Sequence, residues 1–93
     1  MSTAQASARS VTASGAVSPT PCTLRGLSLR DTSGAANIVD LFDNASAASG
    51  TVVATVVLAA NGSGHVSAPD GVRCANGLYL QATGAVVGAV WVG

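Results

Sequence analysis

The chain has 93 residues, 48% of them hydrophobic and only 9% charged, which is the size of one domain. Four Arg balance four Asp with no Lys and no Glu, and Arg9, Arg25, Arg30 and Arg73 lie scattered. Phosphate recognition depends on clustered cations, so nucleic acid is not an expected partner. Mean hydropathy is +0.49, yet no apolar stretch approaches the ~20 residues of a membrane helix, so no membrane partner is expected either. The surplus apolar surface is expected to face protein.

Residues 1–20 combine Ser, Thr and Ala with Gln5, Gly15 and Pro19, and show neither a helical nor a two-residue apolar period. They read as an extended N-terminal arm that docks on a neighbour, ahead of a β domain over residues 21–93. No charged start followed by an apolar core marks a secretory leader, so assembly in a reducing cytoplasm is expected. Cys22 and Cys74 are then expected as free thiols. A body this small usually needs reinforcement, and with no metal cluster in view the expected source is oligomerisation.

Beyond the arm, apolar runs recur about every ten residues between Gly/Asn/Asp turns, the spacing of a small all-β sandwich or barrel. The first strand covers Thr23 to Arg30; Leu24 is out of phase with Leu27 and Leu29, which predicts a bulge at Gly26. Asn37 to Asp43 is the second, followed by an exposed loop to Gly50. Thr51 to Leu58 is apolar on both faces and reads as a strand covered on both sides. Short runs at His65–Ser67 and Val72–Cys74 flank a Pro69-Asp70-Gly71 turn. Asn76-Gly77 is a strong hairpin signal leading into Leu78 to Thr83, and Ala85 to Val92 is again apolar on both faces. Charge is missing from both Thr51–Leu58 and Ala85–Val92, so one is expected to be central and at least one to meet another subunit. Six or seven strands with short connections favour antiparallel meander or Greek-key pairing.

Little here carries chemistry. His65 is the lone histidine and has no acid within three residues. Nucleophilic catalysis by Cys22, Cys74 or a serine needs a base within hydrogen-bond reach, and the candidates are few. Asp31 and Asp70 sit in turn signals, where Asp is favoured by its bonds to backbone. No dense Asp/Asn loop supplies the six to eight oxygens that a hard cation takes. The chain therefore reads as no enzyme, with no cofactor and no metal. Candidate interface residues are Ser2, Thr3, Gln5, Arg9, Val11 and Val17 of the arm, together with Trp91, which is either core filler or an interface anchor.

Leu27-Ser28-Leu29-Arg30-Asp31-Thr32-Ser33-Gly34-Ala35-Ala36, then Val39-Asp40-Leu41-Phe42-Asp43, Thr51-Val52-Val53-Ala54-Thr55-Val56-Val57-Leu58 and Asn76-Gly77-Leu78-Tyr79-Leu80 form a pattern. In it the chain resembles small structural proteins of tailed bacteriophages. The resemblance covers about Leu24 to Val92 and rests on turns and strands, without a chemical signature. It implies a virion component at the capsid surface: a decoration or cement protein on the major capsid protein lattice, trimeric by preference. The alternative it implies is a minor tail or fibre-associated subunit.

Overall fold

The computed structural model describes residues 7–93, and every regular element within them is a strand. In chain order these are β1 (Ser7–Val11), β2 (Gly15–Ser18), β3 (Cys22–Asp31), β4 (Asn37–Phe42), β5 (Val52–Leu58), β6 (Ser63–Cys74), β7 (Leu78–Ala82) and β8 (Val86–Val92). Strands β3, β4, β5, β7 and β8 fall where apolar alternation and turn residues place them. The two runs expected on either side of Pro69 are one strand, β6. Its ladder to β3 skips the Pro69-Asp70-Gly71 stretch, because Gly26 lies opposite Ser67 while Leu24 lies opposite Val72.

Pairing is nested. β4 pairs with β5, β3 with β6, β2 with β7 and β1 with β8, all antiparallel. The chain is thus one long ribbon doubled back at the loop between Phe42 and Val52. Two further antiparallel ladders, β3 with β8 and β4 with β7, wrap the ribbon into two four-stranded sheets of order β1-β8-β3-β6 and β2-β7-β4-β5. That order defines a jelly roll, a sandwich whose consecutive strands mostly alternate between sheets.

The wrapping buries one face of each sheet. Leu24, Leu27 and Leu29 of β3 meet Val39 and Leu41 of β4, Leu58 of β5, Leu78 and Leu80 of β7, and Val86, Val90 and Val92 of β8. Each fully buried side chain of this kind contributes roughly 1.5–3 kcal/mol. The phase change along β3 is resolved by a register shift between Leu24 and Gly26. It lets all three leucines point inward, each 1% exposed.

Three expectations are corrected. Residues 7–18 are not an extended arm: β1 runs along β8 from Ser7↔Val92 to Val11↔Gly88, and β2 runs along β7. An edge strand of four or five residues needs only one or two inward side chains, too few to leave an apolar period. The sandwich therefore has eight strands where six or seven were expected. Finally, Asn76-Gly77 does not close a hairpin, since β6 and β7 belong to different sheets. Gly77, at φ 135°, turns the chain from one sheet to the other beside the Ser18 carbonyl, which leaves no room for a Cβ.

Candidate interaction surface

Polar chemistry concentrates at one end of the sandwich, around Asp31 at the end of β3. Its side chain is 2% exposed. Oδ1 accepts from the Ser33 hydroxyl (2.6 Å), the Ser33 amide (3.2 Å) and Asn37 Nδ2 (2.9 Å), while Oδ2 accepts from the amides of Gly34 (3.0 Å) and Asn61 (2.9 Å). Asn37 extends the network, its Oδ1 accepting from Thr83 Oγ1 and the Gly84 amide, both at 3.1 Å. One carboxylate thus ties the β3–β4, β5–β6 and β7–β8 turns together. Hydrogen bonds from Ser33, Asn37 and the Asn61 amide favour its charged form and hold its pKa far below the usual carboxylate range. Both oxygens are committed, so Asp31 is a clamp with no free position for a substrate. No group of three or more His, Cys, Asp or Glu converges among the described residues.

The surfaces offer more. Outward positions of the β1-β8-β3-β6 sheet carry Arg30, His65, Arg73, Val87 and Trp91, placed by the ladders Gly26↔Trp91, Ser28↔His65 and Arg30↔Val87. The Trp91 ring packs close to Gly26, where a Cβ would come within 2.8 Å of the Val66 carbonyl oxygen and 2.9 Å of Trp91 Cε3. The missing side chain makes room for the ring, which stays 37% exposed. The outer face of the β2-β7-β4-β5 sheet carries Ile38, Asp40, Thr55 and Val57, with Ile38 opposite Val57 and Asp40 opposite Thr55. Thr55 Oγ1 donates to Asp40 Oδ1 at 2.6 Å. Val57 is 69% exposed, and Ile38 and Val52 are each 49% exposed.

The four sheet edges differ. β1 is short and carries Arg9; β2 has four residues and an irregular register. β6 carries His65, Arg73 and the Pro69-Asp70-Gly71 bulge. Charge, Pro, bulges and shortness are the devices that keep edges from pairing with other chains. β5 carries no charge, Pro or Gly in its seven residues, Val52-Val53-Ala54-Thr55-Val56-Val57-Leu58; its irregularity is a register shift against β4 between Leu41 and Phe42, which leaves Val53 as an extra residue near the start of the strand. A strand that reads as covered on both faces is therefore the edge of its sheet, whereas β8, the other doubly apolar strand, is central.

The structure separates the candidate interface residues. Val11 and Val17 are core residues, 5% and 9% exposed, and are removed from the candidate surface. Arg9 is exposed on β1 opposite Val90, and Trp91 lies on the same sheet. Ser2, Thr3 and Gln5 lie outside the described residues. Of the two uncharged strands, β8 is the central one and β5 the edge; the exposed Ile38 beside β5 has no signal in the sequence that marks it as surface.

The scan against protein-family models finds no match, and no significant match appears among the curated proteins or the solved structures.

Proposed function

We propose that this chain is a decoration protein of a tailed-bacteriophage head, bound to the major capsid protein lattice at the virion surface and stabilising it as an oligomer. The observation that carries this reading is the jelly-roll strand order, an architecture that recurs in viral capsid domains. A fold hosts many functions, so the surface must supply the rest. Here it supplies exposed Ile38, Val52, Val57, Val87 and Trp91 on a chain of zero net charge. The turn-and-strand resemblance to phage structural proteins supports the same reading. Such a surface binds through apolar and backbone contacts. At about 25 cal/mol per Å² of apolar area, a contact of standard size repeated over a shell gives ample stabilisation even after the losses of association.

The test is particle biochemistry. Salt screens exposed ion pairs but not buried apolar contacts, so the protein is expected to stay on purified heads through a wash in about 1 M salt. Particles from a phage lacking its gene are expected to release DNA at lower temperature than complete ones. Co-fractionation with tails from a capsid-free lysate, or unchanged heat stability in the deletion phage, would replace this reading with the tail-subunit one.

A further inference from the structure

We infer that the open edge of β5 is a two-fold interface at which a second copy of this chain adds its own β5, joining two four-stranded sheets into one of eight strands. The inference does not rest on the decoration reading. It also assigns a dimer where the phage resemblance implies a trimer.

The backbone states which groups are free. The Thr83 amide donates to the Ile38 carbonyl, and the Ile38 amide donates to Thr83 Oγ1. Both backbone groups of Ile38 therefore turn toward β7 and away from β5. In an antiparallel ladder the direction alternates residue by residue. Val57, opposite Ile38, and Thr55, opposite Asp40, accordingly direct their own N–H and C=O groups away from β4, to the open side.

The occupant is argued from the strand's own symmetry and charge. Pairing β5 with an antiparallel copy centred on Thr55 sets Thr55 against Thr55 and Ala54 against Val56, all in the regular part of the strand beyond the register shift at Val53; Val53 then faces Val57, and Val52 faces Leu58, at the two ends. The two Thr55 residues then exchange both of their outward hydrogen bonds, and every other pair is aliphatic, a combination that stabilises cross-strand neighbours. No like charges meet, because β5 has none. The nearest, Asp40, sits one strand back and is bonded to Thr55 Oγ1. Arg9 on β1, and Arg73 with the Pro69 bulge on β6, obstruct the same pairing at those edges. An isologous contact also closes on itself, which consumes this uncharged edge without propagating a fibre.

Sedimentation of the purified full chain tests this directly. The expected species at tens of micromolar has twice the 8.9 kDa chain mass. Val57→Lys alters a side chain that is mostly in solvent, and is expected to give a monomer with an unchanged melting curve at low concentration. Thr55→Pro removes an outward N–H at the dyad and is expected to do the same. Val87→Lys on the other sheet should leave the dimer intact. A wild-type monomer at millimolar concentration, a trimer, or a dimer that both β5 variants leave unchanged would overturn the inference. Loss of head binding by a chain that still dimerises would instead count against the decoration reading alone.

Discussion

Cys22 and Cys74 stand directly opposite each other in the β3–β6 ladder, both buried and both free thiols. Residues so paired approach within the Cα range that a disulfide spans, so backbone distance alone does not prevent a bridge between them. Burial, followed by the neighbouring Cys22 thiol and Asp43, pushes the Cys74 thiol up to about 11. A thiolate is the reactive form, and this thiol resists forming one.

Alkylation of the native protein at neutral pH is therefore expected to be slow at Cys74 and to become fast in denaturant. Mass spectrometry under non-reducing, blocking conditions should find both cysteines labelled. A predominant Cys22–Cys74 linked peptide from fresh particles would contradict this. The raised value also has a pH consequence. The unfolded chain ionises Cys74 near its ordinary 9.0 and the folded chain only near 11. This contribution to stability is whole below about 9 and is lost as pH rises to about 11. Cys74→Val should flatten that alkaline decline in a series of thermal melts.

Asp31 behaves with the opposite sign. Its folded pKa lies well below its ordinary 3.8, so the stabilisation is present above the ordinary aspartate range and is lost as pH falls below it. Asp31→Asn replaces an acceptor oxygen with a donor among donors that include the Gly34 and Asn61 amides and Asn37 Nδ2. The melting temperature at pH 7 should drop by about 5 °C or more. Wild-type and variant curves should converge in acid; parallel curves from pH 7 to pH 2 would show that the clamp carries no such role.

Removing residues 2–18 deletes β1 and β2. It uncovers the edges of β8 and β7 and takes Val11 and Val17 from the core. The truncated chain is expected to lose cooperative thermal unfolding or to melt far below the full chain. An unchanged melting curve would mean that these strands only decorate a body that folds without them.

Gly88 of β8 has φ 154°, and any Cβ there would run into the Ser28 carbonyl of β3. Gly88→Ala should lower stability by about 3 kcal/mol, the range of a forced backbone shift in a central strand. Urea unfolding measures it, and a loss under ~0.5 kcal/mol would show that the two strands can part without penalty.

Sequence periodicity reports how many faces of a strand are apolar, and here it located β3, β4, β5, β7 and β8 and the bulge at Gly26. It is silent on what covers those faces. β5 and β8 have the same doubly apolar pattern, yet one is an edge and the other is central, because ribbon wrapping and not local composition sets their places. β1 and β2 escaped notice since Val11 and Val17 are isolated among Ser, Thr and Ala. The turn reading of Asp31 was sound as far as the Ser33 and Gly34 amides. Its bonds to Asn37 and Asn61 join turns that only the tertiary fold brings together. Among the interface candidates Val11 and Val17 are core, and the missing charge on Thr51–Leu58 and Ala85–Val92 marks a central strand and an exposed one without saying which is which.

The strand order has a consequence for how the protein is made. β8, which sits between β1 and β3 in its sheet, is synthesised after the other seven strands. Until it emerges, β1 has no hydrogen-bonding neighbour, and β3 has only β6. The β4–β5 hairpin can form early on local contacts alone, but the β1-β8-β3-β6 sheet waits for Val86–Val92. Distant pairings of this kind fold slowly, and the nascent chain exposes unpaired apolar strands in the meantime. A ribosome stalled shortly before Val86 would hold a chain ready to aggregate, and this seven-residue strand decides whether the sandwich closes.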